Sequence, residues 1–133
     1  MAYKIEYDAV EPYITRDGSL IRELCHPGAH GNWNQSVAEA SVEAGRQTRL
    51  HRHYKSEEIY HVLSGSGRMR VGESVFDIGR GDTIWIPAGA LHNVVNSGDR
   101  TLKILCCCAP AYAHQDTEVV DEDGGSNTHT TIE

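Results

Sequence analysis

Short runs of alternating polar and apolar residues recur along most of the chain. Residues 34–44 could form a helix by composition, but their small and apolar positions, from Ser36 to Ala44, recur at every second residue. A period of two predicts a strand with one buried face. The same pattern predicts further short strands over 47–53, 58–63, 67–71, 74–78, 83–87, 91–95 and 101–108.

Glycine-containing turns separate these predicted strands, as at 64–67 and 79–81. Many short strands joined by tight turns are typical of an all-β sandwich or barrel. The chain has 133 residues, enough for one domain of ordinary size. We therefore expect an N-terminal arm with short strands over 1–33, a barrel domain over 34–113 and a flexible acidic tail over 114–133.

The net charge of −7 is concentrated near the C-terminal end of the chain. From Asp116 onward there are six acidic residues and no Lys or Arg, so the rest of the chain is close to neutral. Binding to nucleic acid or to an anionic membrane needs clustered basic side chains. We therefore expect no nucleic acid and no membrane as a partner.

The first residues contain no apolar run typical of a signal peptide, and no apolar run approaches the roughly 18 residues of a membrane-spanning helix. The cysteines are Cys25 and the consecutive Cys106, Cys107 and Cys108. Neighbouring residues of a strand point to opposite faces, so this spacing does not indicate a disulfide framework. These features favour a reduced, cytoplasmic protein.

Two histidines stand two residues apart in a predicted strand. His51 and His53 would project from one face, at a spacing that suits two imidazoles on one metal ion. Glu58 follows a polar stretch that can bend the chain, and His92 follows the tight turn at 87–89. A His-x-His pair alone is equally compatible with a structural role. The remaining histidines are interpreted as structural or exposed: His26, His30, His61, His114 and His129.

The spacing of these residues resembles the two motifs of the cupin superfamily. The first motif consists of a glycine, His-x-His, a glutamate and a second glycine, and it matches Gly45, His51, His53, Glu58 and Gly65. The second motif consists of a glycine, Pro-x-Gly, a histidine and an asparagine, and it matches Gly81, Pro87, Gly89, His92 and Asn96. Glu57 also fits the gap after the histidines, but only Glu58 leaves six residues before the closing glycine.

The resemblance implies a double-stranded β-helix, a jelly-roll-like barrel, with a metal ion held inside one open end by His51, His53, Glu58 and His92. Three imidazoles and one carboxylate suit one divalent first-row transition metal ion, such as Mn, Fe, Co, Ni, Cu or Zn, rather than Ca or Mg. Four protein ligands leave up to two positions open on a six-coordinate ion, as a catalytic site requires.

Strand parity extends the candidate site beyond the metal ligands. If 47–53 is one strand, Gln47 and Arg49 face inward with the two histidines, and Arg49 is a candidate for binding a substrate carboxylate or phosphate. A salt bridge at the barrel mouth would explain Arg49 equally well. Tyr60 shares the parity of Glu58 and is a candidate catalytic acid or hydrogen-bond donor, or else a core aromatic residue.

The last long strand places Cys106 and Cys108 on the face of Leu102 and Ile104, so a thiol can reach the interior, where cysteine is usually inert. Trp85 alternates with its two isoleucine neighbours, which predicts that it lies on the outer face and contacts another subunit.

The resemblance implies an enzyme similar to small cupins such as the mannose-6-phosphate-isomerase-like group. The expected substrate is a small oxygen-rich or anionic molecule, and the expected chemistry is that of an isomerase, a lyase or a dioxygenase. The alternative is a cupin that binds or senses a small molecule without turnover. A homodimer is expected because pairing two barrels covers sheet edges and an apolar outer face, with Trp85 and the N-terminal arm as candidate contacts.

Overall fold

The computed structural model describes residues 4–120, and most of its regular structure is strand. The strands in chain order are β1 (Tyr13–Ile14), β2 (Leu20–Cys25), β3 (Ser36–Val42), β4 (His51–His53), β5 (Glu57–Ser64), β6 (Ser66–Val71), β7 (Ser74–Gly79), β8 (Thr83–Ile86), β9 (His92–Val95), β10 (Leu102–Ala109) and β11 (Thr117–Val119). The helical elements are the one-turn helix α1 (Pro27–His30) and two 3₁₀ turns (Tyr7–Ala9 and His114–Asp116).

The strands form two antiparallel sheets, which confirms the all-β prediction. One sheet has the order β1-β2-β3-β10-β5-β8, and the other has the order β11-β4-β9-β6-β7. Residues from both sheets share one apolar core, in which Met69, Val62, Leu102 and Ile104 are almost completely buried. The core fills the space between the sheets and leaves a cavity beside β4 and β9.

The alternation read from the sequence holds in the three longest strands. In β3 every second residue from Ser36 to Val42 is buried, as the period of two predicts. In β10 the inward positions run from Leu102 to Cys108, and in β5 Glu58 is buried while Glu57 is exposed. Trp85 in β8 is 62% exposed, as predicted for the outer face.

A tight turn joins β5 to β6 and passes close to the start of β10. Gly65 forms this turn with a φ of +87°. A Cβ atom at this position would lie 2.6 Å from the carbonyl oxygen of Thr101 and 2.9 Å from the Cα of Leu102. Glycine is therefore needed here both for its backbone conformation and for its lack of a side chain.

The predicted strand over 47–53 is wrong for its first half. Only His51–His53 forms a strand, and Gln47 makes an isolated bridge to Val95. Thr48 and Leu50 are buried together with His51, so two consecutive residues are buried and the alternation shifts by one position. The parity argument drawn across this segment therefore fails.

Segments near both ends of the described chain belong to the sheets. The arm contributes β1 and β2, and β2 pairs with β3 along its length. The prediction of a flexible tail from residue 114 is wrong for 114–120, because β11 pairs with β4 and its residues Thr117 and Val119 are buried. Residues 121–133, including His129, lie outside the described part of the chain.

Among residues 4–120, no helix has the length and apolar character needed to cross a bilayer.

Candidate metal centre

Three imidazoles converge at one end of the barrel, as the two motifs imply. His51 and His53 project from β4, and His92 on β9 is the direct cross-strand partner of His51. The three side chains are buried, and one ring nitrogen of each lies within 4.8 Å of the corresponding atoms of the others. The three histidines could therefore hold a metal ion.

Hydrogen bonds fix which ring nitrogen of each histidine faces the centre. Nδ1 of His51 lies 2.7 Å from the carbonyl oxygen of Arg49, and Nδ1 of His92 lies 3.0 Å from that of Ala90. A carbonyl oxygen can only accept, so each Nδ1 carries the proton and donates it. In the neutral ring the opposite nitrogen, Nε2, then presents a bare lone pair to the centre.

A hydroxyl group determines in the same way which ring nitrogen of His53 faces the centre. Its Nδ1 lies 2.9 Å from Oγ1 of Thr117, and this hydroxyl donates its own proton to the carbonyl oxygen of Ala113 at 2.9 Å. The Thr117 oxygen is therefore the acceptor for His53. Thr117 belongs to β11, within the segment predicted from the sequence as a flexible tail, so the sequence does not predict this orienting contact.

Glu58 completes the group from β5, as the motif spacing predicts. Its Oε1 lies 3.2 Å from Nε2 of His53 and 3.4 Å from Nε2 of His92. Two donor atoms bound at about 2.1 Å to one ion stand about 3.0–3.4 Å apart in octahedral or tetrahedral geometry. The two distances from Glu58 lie within that range.

A thiol orients the other oxygen of the carboxylate. Cys108 is the cross-strand partner of Glu58, and its Sγ donates to Oε2 of Glu58 at 3.3 Å. Cys106 is also buried in the cavity wall, so both thiols reach the interior as predicted. Burial, reinforced by the Glu58 charge, raises the pKa of each thiol, which keeps them protonated and able to donate.

Two buried polar atoms at the centre lack a hydrogen-bond partner among the described residues: Oε1 of Glu58 and Nε2 of His92. Both atoms carry lone pairs directed at the same small space. Leaving such groups unsatisfied is costly, and a cation bound between them would satisfy both. The donor set of three imidazoles and a carboxylate therefore fits a divalent first-row transition metal ion.

The protonation states agree with a site prepared for a cation. Burial, reinforced by the neighbouring His92, lowers the pKa of His51 to about 4. Burial alone would raise the pKa of Glu58 and lower that of His53, but the contact between Glu58 and His53, with His92 beside it, outweighs burial and shifts both pKa values the other way. Without a cation, a proton on Nε2 of His53 therefore faces Glu58, and a metal ion would take the place of that proton. At neutral pH the centre thus has a neutral His51 and an ionised Glu58.

Tyr60 lies beside this centre on the same face of β5 as Glu58. The residue is buried, and its ring centroid is 6.0 Å from that of His92. Burial, together with the negative charge of Glu58, raises the pKa of the phenol well above its usual value. Tyr60 is therefore a neutral phenol that can donate a hydrogen bond.

The structure contradicts the expectation that Gln47 and Arg49 face the cavity. Both residues are exposed, and neither lines it. The physical reason is the shift of alternation before His51, which turns these side chains outward. The backbone of Arg49 takes part in the site instead, since its carbonyl oxygen orients His51.

The N-terminal arm supplies one wall of the cavity, which the sequence interpretation missed. The cavity of about 50 Å³ is lined by every second residue of the segment 13–23. The lining arm residues are Tyr13, Thr15, Asp17, Ser19, Ile21 and Glu23. A period of two was the available signal, but the hydrophobic pattern does not follow it, because Ile14 and Leu20 are exposed whereas Asp17 and Ser19 are buried.

A second and wider cavity of about 330 Å³ adjoins the first. Tyr13, Glu23 and Tyr112 line both cavities and so stand between them. Oε1 of Glu23 is buried without a hydrogen-bond partner among residues 4–120, and burial raises the pKa of this carboxyl group.

The histidines interpreted as structural or exposed lie away from the converging imidazoles where the structure describes them. His26 caps α1 and bonds to the carbonyl oxygen of Tyr112, and His61 bonds to Thr83 on the outer face of β5. His26 and His114 line the wider cavity, a position that no pattern in the sequence predicts.

Comparison with known proteins places the chain in a family. The sequence profile of the Cupin domain matches residues 38–108. An uncharacterised protein of Methanocaldococcus jannaschii is 51% identical over 118 residues, which cover 89% of this chain and 94% of that protein.

Two solved structures show the same fold. A nucleoside dehydratase from Streptomyces has a TM-score of 0.73 at 21% identity and covers 91% of this chain and 92% of its own. A predicted oxalate decarboxylase of Thermotoga maritima has a TM-score of 0.72 at 21% identity and covers 81% of this chain and 99% of its own. The double-stranded β-helix that the motifs imply is thereby confirmed, and the chain belongs to the cupin family.

Proposed function

We propose that this protein is a metal-dependent cupin enzyme that acts on a small oxygen-rich molecule. The observation that carries the proposal is the convergence of three Nε2 atoms and an ionised carboxylate beside a cavity, where Oε1 of Glu58 and Nε2 of His92 have no hydrogen-bond partner among the described residues. His51, His53, His92 and Glu58 would hold one ion such as Mn, Fe, Co, Ni, Cu or Zn. A bound ion would act as a Lewis acid toward a carbonyl or hydroxyl oxygen.

The residues that line the two cavities indicate the charge of the substrate. Neither cavity has a Lys or Arg among its described lining residues, whereas three carboxylates, Asp17, Glu23 and Glu58, line the inner one. An anionic substrate would therefore meet no Lys or Arg side chain among these described residues. We therefore propose an uncharged, hydroxyl- or carbonyl-bearing substrate, or an anion neutralised by the metal, rather than one recognised by Arg49.

Tyr60 is the proposed hydrogen-bond donor to the substrate. Its phenol lines the cavity next to the metal centre, and because its raised pKa makes it a weak acid, it would hold an oxygen of the substrate by a hydrogen bond rather than give up its proton. The same cavity lining includes the apolar side chains of Ile104, Val94 and Ala40. These roles suit isomerase or lyase chemistry, and a dioxygenase would use the same ligands.

Metal analysis followed by a substrate screen tests the proposal. The protein is purified, its metal is identified by mass spectrometry, and sugars, hydroxy acids and nucleosides are screened with and without O₂. We expect close to one ion per chain and turnover that is lost on chelation. Oxygen uptake would identify a dioxygenase, and turnover without oxygen would identify an isomerase or lyase.

A neighbouring pair of glutamates provides the matched control. Glu58→Gln should abolish turnover because it removes the anionic ligand, whereas Glu57→Gln, on the opposite face of the same strand, should leave turnover unchanged. Metal content that never approaches one ion per chain would refute the proposal of a metal-dependent enzyme. Ligand binding without turnover would support the alternative, a cupin that binds or senses a small molecule.

We also propose that the protein is a homodimer that pairs through the outer face of the six-stranded sheet. Trp85 and Ile59 are cross-strand partners on that face, 62% and 41% exposed, and β8 is its edge strand. Light scattering should give twice the mass of one chain. Trp85→Glu should give monomers, whereas Val75→Glu, on an exposed edge strand of the other sheet, should not. A monomeric unaltered protein would contradict this proposal.

A further inference from the structure

Asp17 brings a second carboxylate to the metal centre from outside the two motifs. It lies in the turn between β1 and β2 and is 8% exposed. Its Oδ1 accepts from the backbone nitrogen of Ser19 at 2.9 Å and from the hydroxyl of Ser19 at 2.7 Å. Its carbonyl oxygen accepts from the backbone nitrogen of Arg49 at 2.8 Å. The carboxylate is therefore fixed in one orientation, with the arm attached to the segment that leads into β4.

The other oxygen of Asp17 faces an imidazole lone pair. Oδ2 lies 3.5 Å from Nε2 of His51. Because the proton of His51 is on Nδ1, where it is donated to Arg49, a neutral His51 offers no hydrogen to Asp17. Two acceptors that face each other in a buried site repel unless a cation lies between them. The distance is close to the 3.4 Å between Oε1 of Glu58 and Nε2 of His92.

We infer that Asp17 is a fifth protein ligand of the metal ion, supplied by the N-terminal arm. The inference rests on the proposed metal site and adds to its three imidazoles and one carboxylate. Two carboxylates neutralise the charge of a divalent ion in the buried centre. Five protein ligands leave one open position on a six-coordinate ion, so a substrate binds through one oxygen rather than as a chelate. Metal binding also ties the arm to the barrel.

Metal titration of three full-length chains tests this inference. The metal-free unaltered protein, Asp17→Asn and Asp82→Asn are titrated with Zn²⁺ in competition with a chromophoric chelator. Asp82 is the matched control, since it also accepts a backbone hydrogen bond within a turn, from Gly79, but belongs to the β7–β8 connection. Asp17→Asn should weaken binding at least as much as the roughly 10- to 100-fold loss seen when a residue that only orients a ligand is removed. Asp82→Asn should bind as tightly as the unaltered chain.

Hydrogen exchange provides a second test. If Asp17 had a purely structural role, zinc would not change the exchange of the arm. In the unaltered protein, added Zn²⁺ should slow exchange of the backbone amides of 15–19 as well as those of β4. In Asp17→Asn, Zn²⁺ should protect β4 alone. The asparagine keeps an oxygen for Ser19, so the turn should survive the substitution. If Asp17→Asn does not fold, the effect of Zn²⁺ on the exchange of 15–19 in the unaltered chain still tests the inference.

Two results would overturn the inference. One is equal zinc affinity of the unaltered chain and Asp17→Asn, and the other is protection of β4 by zinc without protection of 15–19 in the unaltered protein. Either result would leave the proposed function intact. An unaltered chain that binds no metal would instead remove the proposed function, and the fifth ligand with it.

Discussion

Replacing His51 with alanine is expected to remove most of the metal from the purified protein. His51 lies opposite His92 across two paired strands, and its Nε2 is one of the donors that converge on the centre. Loss of a ligand should weaken binding by more than about 100-fold, the upper end of the range for residues that only orient a ligand. Mass spectrometry of protein purified with a fixed supply of one metal measures the occupancy.

His61→Ala is the control for this substitution. His61 is also on a strand of the barrel, but it faces outward and bonds to Thr83. Its removal should leave the metal content unchanged and should affect stability only slightly. Equal occupancy in the two variants, whether high or low, would refute the assignment of ligands.

Substituting Gly65 with alanine is expected to cost most of the stability of the fold. The added Cβ would lie 2.6 Å from the carbonyl oxygen of Thr101, which is backbone and cannot rotate away. The backbone conformation at φ +87° adds its own strain for an L-residue. A cost above about 4 kcal/mol is expected, which is exceptional for one substitution and a large share of a typical total of about 5–15 kcal/mol. Denaturant unfolding measures it.

Gly45 is the control that separates the steric contact with Thr101 from the strain of the backbone conformation. It also has a positive φ, +80°, but no heavy atom lies within 4 Å of the Cβ position. Gly45→Ala should therefore cost only the backbone strain, about 1–2 kcal/mol. A similar cost for both substitutions would mean that the close approach of Gly65 to β10 is not the reason why this position needs glycine.

The motif spacing predicted the histidines that converge, and strand parity predicted which neighbours face them. Glu58 and Tyr60 are buried and Glu57 is exposed because β5 is long enough for the pleat to stay regular. The same rule failed for Gln47 and Arg49, because β4 has only three residues and the chain before it is irregular. Parity carries information only within a continuous strand.

Long-range contacts were the other limit of the sequence interpretation. Thr117 orients His53 over a separation of 64 residues, and its segment carries the acidic residues that suggested a solvated tail. Asp116 caps the backbone nitrogens of Lys55 and Ser56, and Glu118 pairs with Arg52 at 2.8 Å. Local composition cannot show that these charges have partners on a neighbouring strand.

The wall contributed by residues 13–23 has a consequence for comparing this protein with others of its family. The segment that matches the family profile, 38–108, contains all four residues of the predicted ligand set but none of this wall. The chain thus encodes the two sides of one cavity in separate stretches of sequence, which can change independently of each other. Two cupins with identical motifs can therefore enclose different molecules, and the arm is the stretch to compare when a relative's substrate becomes known.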